Sequence, residues 1–545
     1  MLTLPSLRRL ILILIAALLW FGSLEHRPLL DPDEGRYSEI PREMVASGDW
    51  ITPRLNGIKY FEKPPLQYWM TALAYEAFGA HHWSARLWTA LCGFLGILLV
   101  GWTGSRLFGP VAGWNGALVL GSSLGYVAAG QISTLDMSVT LFLTLALCGF
   151  LLAQQDGADS RARRGWMLAA WAAAGLAVLS KGLIGLVLPV LALGAYVLLQ
   201  RDWKVLGRLH LGWGLGVLIA VTAPWFVAVS LRNPEFPGFF FVHEHFQRFL
   251  TQTHQRYQPW WWFIPVLLVG AMPWVLAGAG GLAKAWAADR TGPGAFRPRR
   301  FLLLWAATIF LFFSASSSKL HAYILPMFPA MALLAGEYLA GLNDRQRAWQ
   351  AAPGIALGLA LVSAGLYGTL SDALGPEYRA YAPWVLAAGA LGLAGALGAV
   401  FSARRGSGAR ALTFLATGSL VMALILVGSF DRLAPHRSGH GLAQAMRPLV
   451  APGVPIYSVG TYEQTIPFYL GRTVTLVGDR SELGFGLDQE PDKWVPDITR
   501  FPDLWAAAPR ALAIMTPFVY QNFSQKGVSM EVVARNRDYV VVRKP

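Results

Sequence analysis

Long apolar stretches alternate with short polar links over most of the chain. A helix that crosses the ~30 Å hydrocarbon core of a bilayer needs about 20 apolar residues. Such stretches recur near residues 8–24, 85–105, 111–129, 134–154, 165–180, 183–200, 209–230, 262–285, 301–316, 321–341, 352–371, 382–403 and 411–429. The pattern predicts a polytopic α-helical membrane protein of about thirteen transmembrane helices, with a very short link between the fifth and sixth. The first stretch follows Arg8 and Arg9 but lacks a small-x-small cleavage site. It reads as an uncleaved helix rather than a signal peptide. From residue 430 the pattern changes. PIYSVG, TVTLVG, ALAIMT and YVVVRKP predict strands, and EQTIPFYL predicts a helix between two of them. The expected organisation is a membrane domain over 1–429 and a small α/β domain over 430–545.

Charge orients these helices. With Arg8 and Arg9 inside, the inner links are SRLFGP, RARRGW, RDWKVLGR, the stretch from Lys284 through RPRR, NDRQRAW and ARRGSGAR. Every one is basic, as the positive-inside rule requires. An odd number of spans then puts the C-terminal domain outside. The outer segments differ in kind: residues 25–84 carry both signs of charge, and residues 231–261 end in a Trp run that reads as an interfacial anchor.

Composition agrees. Of 545 residues, 54% are hydrophobic and only 14% charged, against about a quarter in soluble domains. The net charge of +14 is explained by the basic inner loops, and a nucleic-acid partner is not expected. Cys92 and Cys148 both lie in apolar stretches, so neither a disulfide framework nor a cysteine metal site is indicated.

Ionisable side chains gather at the outer membrane surface: Asp33, Glu34, Arg36, Glu62, Lys63, Asp136, Lys181, His243, Glu244, His245, Arg248 and Lys319, with Tyr60 and Tyr323 among them. Each has an ordinary reading. Lys63 and Arg248 would snorkel to lipid phosphate, His243 and His245 would be loop residues, and Asp31-Pro32-Asp33-Glu34 would start a helix. Asp136 in GQISTLDMSV resists such a reading, because a carboxylate entering lipid is costly and tends to face a cavity. Cations and tyrosine hydroxyls together suit a phosphate; carboxylates suit sugar hydroxyls or an amine.

DEGRYSEIPREM followed by GDW, LNGIKYFEKPPLQYW, STLDMSV, LSKGLIGLVLPV, HEHFQRF and SSSKLHAYILPMF resemble, in order, the aminoarabinose transferases of Gram-negative bacteria (the ArnT family). That family is similar to the C-type lipid-donor glycosyltransferases, which include the protein O-mannosyltransferases. The resemblance runs to about residue 341. It implies a C-type glycosyltransferase architecture in the bacterial inner membrane, with the active site and C-terminal domain facing the periplasm. It also implies an inverting transfer of 4-amino-4-deoxy-L-arabinose from undecaprenyl phosphate to a lipid A phosphate, which weakens binding of polymyxin and other cationic peptides. Lys63 and Arg248 would stabilise the leaving phosphate, Tyr60 and Tyr323 would hydrogen-bond it, and Lys319 is a third candidate cation. Asp33 would orient the acceptor or pair with the sugar's ammonium. Asp136 would organise the donor sugar or cavity. Glu34, Arg36, Tyr37, Glu62 and Glu244 complete the expected substrate contacts. Transfer needs no cofactor on this reading; a divalent metal such as zinc, if bound, would take Glu62 and His243, although His243 lies outside the family's EHxxRF pattern. Two other functions fit the residues: a transferase moving another sugar from a polyprenyl phosphate, and a lipid flippase. A transporter would place its polar site at the bilayer midplane, which here is apolar.

Overall fold

A computed structural model describes residues 4–155, 157–247, 257–287 and 295–545. Its contacts divide the chain into two compact units, Met1–Leu24 with Arg86–Phe430 and Glu25–Ala85 with Asp431–Pro545. This division differs from the expected one. Residues 25–84, assigned above to the membrane domain, pack with the C-terminal residues instead.

The first unit is helical. It contains α1 (Leu4–Gly22), and helices fall on each of the later apolar stretches. Among the described residues, eight helices are long and apolar enough to cross a membrane, or nine if one bent pair is a single span. The chain is therefore a multi-pass membrane protein, but thirteen full spans do not emerge. The stretch expected at 262–285 breaks into Phe263–Gly270 and Val275–Ala287, inclined at 112°. The stretch expected at 111–129 divides at Ser123 into Pro110–Ser122 and Leu124–Gln131, and Ile184–Gln200 has 17 residues. Hydropathy averages over such breaks and so does not show them. Small residues let these helices approach closely, as is usual in membranes. A Cβ on Gly336 would lie 2.5 Å from the Ala112 carbonyl and from the Gly116 nitrogen.

The second unit opens with α2 (Asp33–Ser47), the hairpin β1 (Arg54–Leu55) and β2 (Ile58–Lys59), and α3 (Leu66–Phe78). Asn56 and Gly57 form the two-residue turn, with φ of 56° and 73°. Such positive angles suit Asn-Gly in a tight hairpin. The Asn56 amide donates to the Val474 carbonyl and accepts from its N–H, both at 2.8 Å. Lys59 N–H and Arg54 both bond Glu490, at 2.9 Å. The hairpin is thus pinned to C-terminal residues at both ends.

Those residues form a six-stranded sheet of β3 (Ile456–Val459), β4 (Thr475–Val477), β5 (Trp494–Val495), β6 (Leu512–Met515), β7 (Glu531–Arg535) and β8 (Val540–Arg543), in the order β5-β4-β3-β6-β8-β7. β5, β4, β3 and β6 are parallel; β8 pairs antiparallel with β6, and β7 antiparallel with β8. All four residues of β3 and of β6 are buried, as expected of parallel strands covered on both faces. Val459, Val477, Phe501, Met515 and Val542 fill the core on one side. Leu29, Tyr75 of α3 and Ala85 meet Ala443, Phe468 and Tyr469 in a second cluster.

Burial on α2 includes charge. Glu39 is fully buried, with both carboxylate oxygens 2.6 Å from the Arg42 guanidinium. One turn on, Glu43 accepts from Gly57 N–H at 2.8 Å, and burial together with its neighbour Glu39 pushes its carboxyl up to about 8. A raised carboxyl means that the folded chain keeps a proton the unfolded chain releases. Its contribution to stability is complete below the ordinary carboxyl value and is lost as pH rises toward about 8. Hydrogen-exchange protection of α2 in the full chain should therefore fall between about pH 5 and about pH 8, and Glu43→Gln should flatten that fall. An unchanged slope in the variant would show that Glu43 is not the group responsible.

α2 also comes unusually near the loop before Ile466. A Cβ on Gly35 would lie 2.7 Å from the backbone carbonyl carbon of Gln464 and 2.8 Å from its oxygen. Backbone cannot yield as a flexible side chain would. Gly35→Ala should cost about 1–3 kcal/mol, read as lost exchange protection in both α2 and the Glu463–Thr465 loop; protection equal to wild type would show that the gap opens freely.

Candidate functional site

In the second unit the polar site is built from the first turn of α2. Asp31 accepts from the backbone N–H of Gln464 at 3.0 Å. Glu34 forms a buried fork with Arg27 at 2.6 and 3.2 Å and accepts from Leu30 N–H at 3.0 Å. Glu34, expected as a substrate contact, is committed to Arg27 and the turn backbone. With no exposed side-chain surface, it neutralises Arg27 and shapes the turn. Asp33 is on the outer side of the same turn, 48% exposed, with Arg36 Nη1 at 3.7 Å.

Arg36 is the centre of this arrangement and is 5% exposed. Its Nη2 meets Glu482 Oε2 at 2.5 Å, and its Nε donates to the Gln464 side-chain oxygen at 3.2 Å. The Gln464 amide nitrogen donates to the other oxygen of Glu482. Burial opposes the guanidinium charge, but Tyr60 and Glu482 hold its pKa well above the usual value. Burial pushes Glu482 up to about 7, against the pull of Arg36. The Arg36 guanidinium lies 5.6 Å from the Tyr37 ring centroid and 5.9 Å from that of Tyr60, and Tyr37 packs on Tyr68 at 6.2 Å. The hydroxyls of Tyr60 and Tyr68 are buried and find no hydrogen-bond partner among the described residues. An unpaired buried hydroxyl costs about 1–3 kcal/mol, so these two are suited to an oxygen-rich ligand.

Tyr60 begins the segment that leaves β2 for α3. Lys63, on that segment, donates to the Glu62 carbonyl at 2.8 Å, and its ammonium is 4.0 Å from the Glu62 carboxylate. Both side chains are partly exposed, 17% and 13%. The sequence expectation for Asp33, Arg36, Tyr37, Tyr60, Glu62 and Lys63 thus falls on one connected region of one unit.

In the first unit, charge is placed at helix ends. Asp136 is in the first turn of Leu135–Ala153 and Lys181 ends Ser160–Lys181. The two side chains form an ion pair. Each also complements its own helix dipole, acid at an N-terminus and base at a C-terminus. The Lys181 ammonium lies 4.9 Å from the Tyr323 ring centroid. Asp136 is thus already paired, by a residue given no catalytic role above. Lys319 is 6% exposed and donates to the carbonyls of Ser316 and Gln258, which occupies the ammonium with backbone. Lys319, expected as a third phosphate cation, is thus held by two backbone carbonyls near its own loop.

His243 is exposed in the π-helical turn Gly238–Gln247, stacked on Phe239 at 5.1 Å. The side chain of Glu244 and the whole of Arg248 lie outside the described residues. Glu62 and His243, the expected zinc ligands, belong to separate units. Among the described residues no three His, Cys, Asp or Glu side chains gather as a metal site. Gln464 and Glu482 escaped the sequence reading altogether. Each lies among other polar residues of the C-terminal region, in TYEQT and GDRSEL, and no local motif singles it out.

Residues 442–544 match the family described as aminoarabinose transferase C-terminal domain, and residues 6–288 match dolichyl-phosphate-mannose-protein mannosyltransferase. The chain is 36% identical over 335 residues to an undecaprenyl phosphate-alpha-4-amino-4-deoxy-L-arabinose arabinosyl transferase of Edwardsiella ictaluri, covering 61% of this chain and 59% of that protein. It is 37% identical over 314 residues to the Aeromonas hydrophila protein of that name, covering 57% and 56%. These matches span less than two thirds of the curated relatives. The crystal structure of ArnT from Cupriavidus metallidurans bound to undecaprenyl phosphate superimposes with a TM-score of 0.91 at 40% identity, over 98% of this chain and 97% of that one. The archaeal oligosaccharyltransferase AglB from Archaeoglobus fulgidus shares the fold alone, with a TM-score of 0.51 at 14% identity over 93% of this chain and 69% of that one. Identity at that level across nearly the whole of a solved member shows that the chain belongs to the ArnT family of aminoarabinose transferases.

Proposed function

We propose that this protein is a glycosyltransferase that moves 4-amino-4-deoxy-L-arabinose from undecaprenyl phosphate to a phosphate of lipid A, at the periplasmic face of the bacterial inner membrane. The observation that carries this reading is the 40% identity, over 98% of the chain, to an ArnT crystallised with undecaprenyl phosphate. The side chains of the second unit agree with it. Lys63 presents an ammonium and Tyr60 a buried hydroxyl without a partner among the described residues, the donors that a lipid phosphate calls for.

In the reaction, an oxygen of the acceptor phosphate attacks the anomeric carbon with inversion. The bond from that carbon to the donor phosphate breaks, and undecaprenyl phosphate leaves with the electron pair. The acceptor oxygen is already anionic, so no base has to take a proton from it. The main demand is stabilisation of charge on the departing phosphate, which fixed cations and hydroxyl donors meet. We assign that work to Lys63, Tyr60 and Arg248. Asp33 is the exposed carboxylate beside Arg36; we assign it to orienting the acceptor or holding the sugar's ammonium. The Asp136–Lys181 pair, with Tyr323 against it, takes the role of organising a polar pocket wall. The product carries a new positive amine on lipid A, which lowers its attraction for polymyxin and other cationic peptides.

The match of residues 6–288 to the mannosyltransferase family favours one alternative, transfer of a different sugar from a polyprenyl phosphate. Mass spectrometry separates the two. Expressed in a strain lacking its own transferase, the protein should add aminoarabinose to lipid A. Unmodified lipid A beside another glycosylated product would support the alternative. Lys63→Ala should reduce transfer by about 10²–10³-fold, as removal of one charge-stabilising donor does elsewhere, while leaving the amount of membrane-inserted protein unchanged. Full activity in that variant would remove Lys63 from the site.

A further inference from the structure

Three residues of the DPDEGR turn lean on one residue from the far end of the sequence. The Asp31 carboxylate takes the backbone N–H of Gln464, Gly35 lies against its backbone carbonyl, and Arg36 Nε donates to its side-chain oxygen. The same side-chain amide donates its nitrogen to Glu482, whose second oxygen binds Arg36 Nη2. Arg36, Gln464 and Glu482 therefore close a ring. Each amide group of Gln464 has one chemically suitable partner: the carbonyl faces a cation and the nitrogen faces an anion. That pairing fixes which way the amide points.

The ring leaves one edge of the guanidinium uncommitted to it. That edge carries Nη1, which stands 3.7 Å from Asp33. A guanidinium is a rigid planar fork, so bonding Nε and Nη2 on one side sets the direction of Nη1 on the other. We propose that Gln464 is a positioning residue of the transfer reaction: by locking the Arg36–Glu482 pair it aims Arg36 at Asp33 and so sets where the Asp33 carboxylate stands. The proposal rests on the transferase reading for its kinetic consequence, although the geometry it describes does not.

Gln464 matters for aim as well as for adhesion. The loop around it has other anchors. Glu463 takes the N–H groups of Gly439, Thr465 and Ile466 at 3.0, 2.9 and 2.7 Å, and the Gln464 backbone bond to Asp31 does not involve its side chain. Replacing the side chain alone leaves these in place. What is lost is the acceptor for Arg36 Nε and the donor for Glu482. The guanidinium can then swing about its bond to Glu482, and Asp33 loses a fixed partner.

Two variants of the full-length protein test this. Gln464→Met keeps the side-chain length and removes both bonds. Gln464→Glu keeps an acceptor for Arg36 but sets a second carboxylate against Glu482. With purified protein, undecaprenyl-phosphate donor and lipid A, Gln464→Met should lower kcat about tenfold, the size of one hydrogen bond to a charged group, with the donor KM unchanged. Gln464→Glu should recover part of kcat. Independently of activity, the rate at which a water-soluble carbodiimide labels Asp33, followed by mass spectrometry, should rise about twofold in Gln464→Met, the size of a half-exposed ion pair. Wild-type kcat and wild-type labelling in Gln464→Met would overturn the proposal. So would a loss of activity that follows only the fraction of folded protein. If the wild-type chain transfers no aminoarabinose, the functional reading fails alone, and the Asp33 labelling rates still decide the positioning claim.

Discussion

A guanidinium taken out of water must be met by an anion and by acceptors for its remaining donors, or the burial is strongly unfavourable. Arg36 imposes that condition on the second unit. Its carboxylate comes from Glu482 and its acceptor from Gln464, more than 400 residues further along the chain. Residues 25–85 therefore cannot complete their own polar bonding without residues 431–545. The same dependence recurs at the hairpin, where Asn56 bonds Val474 and Arg54 bonds Glu490. The unit is discontinuous in sequence because its charges are satisfied across the discontinuity.

The first unit meets a similar demand by other means. Where a backbone enters an apolar environment, helix ends expose unpaired N–H and C=O groups. Asp136 and Lys181 answer both the end dipoles of their helices and each other. Hydroxyls inside the bundle bond within it: Ser138 meets Ser180 at 3.0 Å, and Trp88 donates to Ser138 at 3.3 Å. Polar chemistry is thus kept at a few positions where it is paired.

Much of this was legible in the sequence, for identifiable reasons. Apolar stretches of membrane length located nearly every helix of the first unit, because hydrocarbon thickness is a strong constraint. Strands β3, β4, β6 and β8 were evident because buried strands read as continuous apolar runs. β7 was missed because it is an edge strand, largely exposed, with Glu531 and Arg535 at its ends. Breaks such as that between Gly270 and Val275 were hidden inside an apolar window. DEGRY and YFEKPP fall together in the second unit, but the short list of charges could not separate Asp33, which faces out, from Glu34, which is sealed against Arg27. The carbonyl partners of Lys319 were hidden for a related reason: backbone groups leave no trace in residue type. Gln464 and Glu482 were invisible because their significance comes from Arg36, far away in sequence.

The most direct test of this account is a double-mutant cycle between Arg36 and Glu482 in the full-length protein, using Arg36→Met and Glu482→Gln and reading the stability of α2 by hydrogen exchange. If the buried pair holds the two segments together, each single change should cost about 3–5 kcal/mol and the double change much less than their sum. Costs that add to within about 0.5 kcal/mol would contradict the claim that Arg36 is the constraint on which the unit depends.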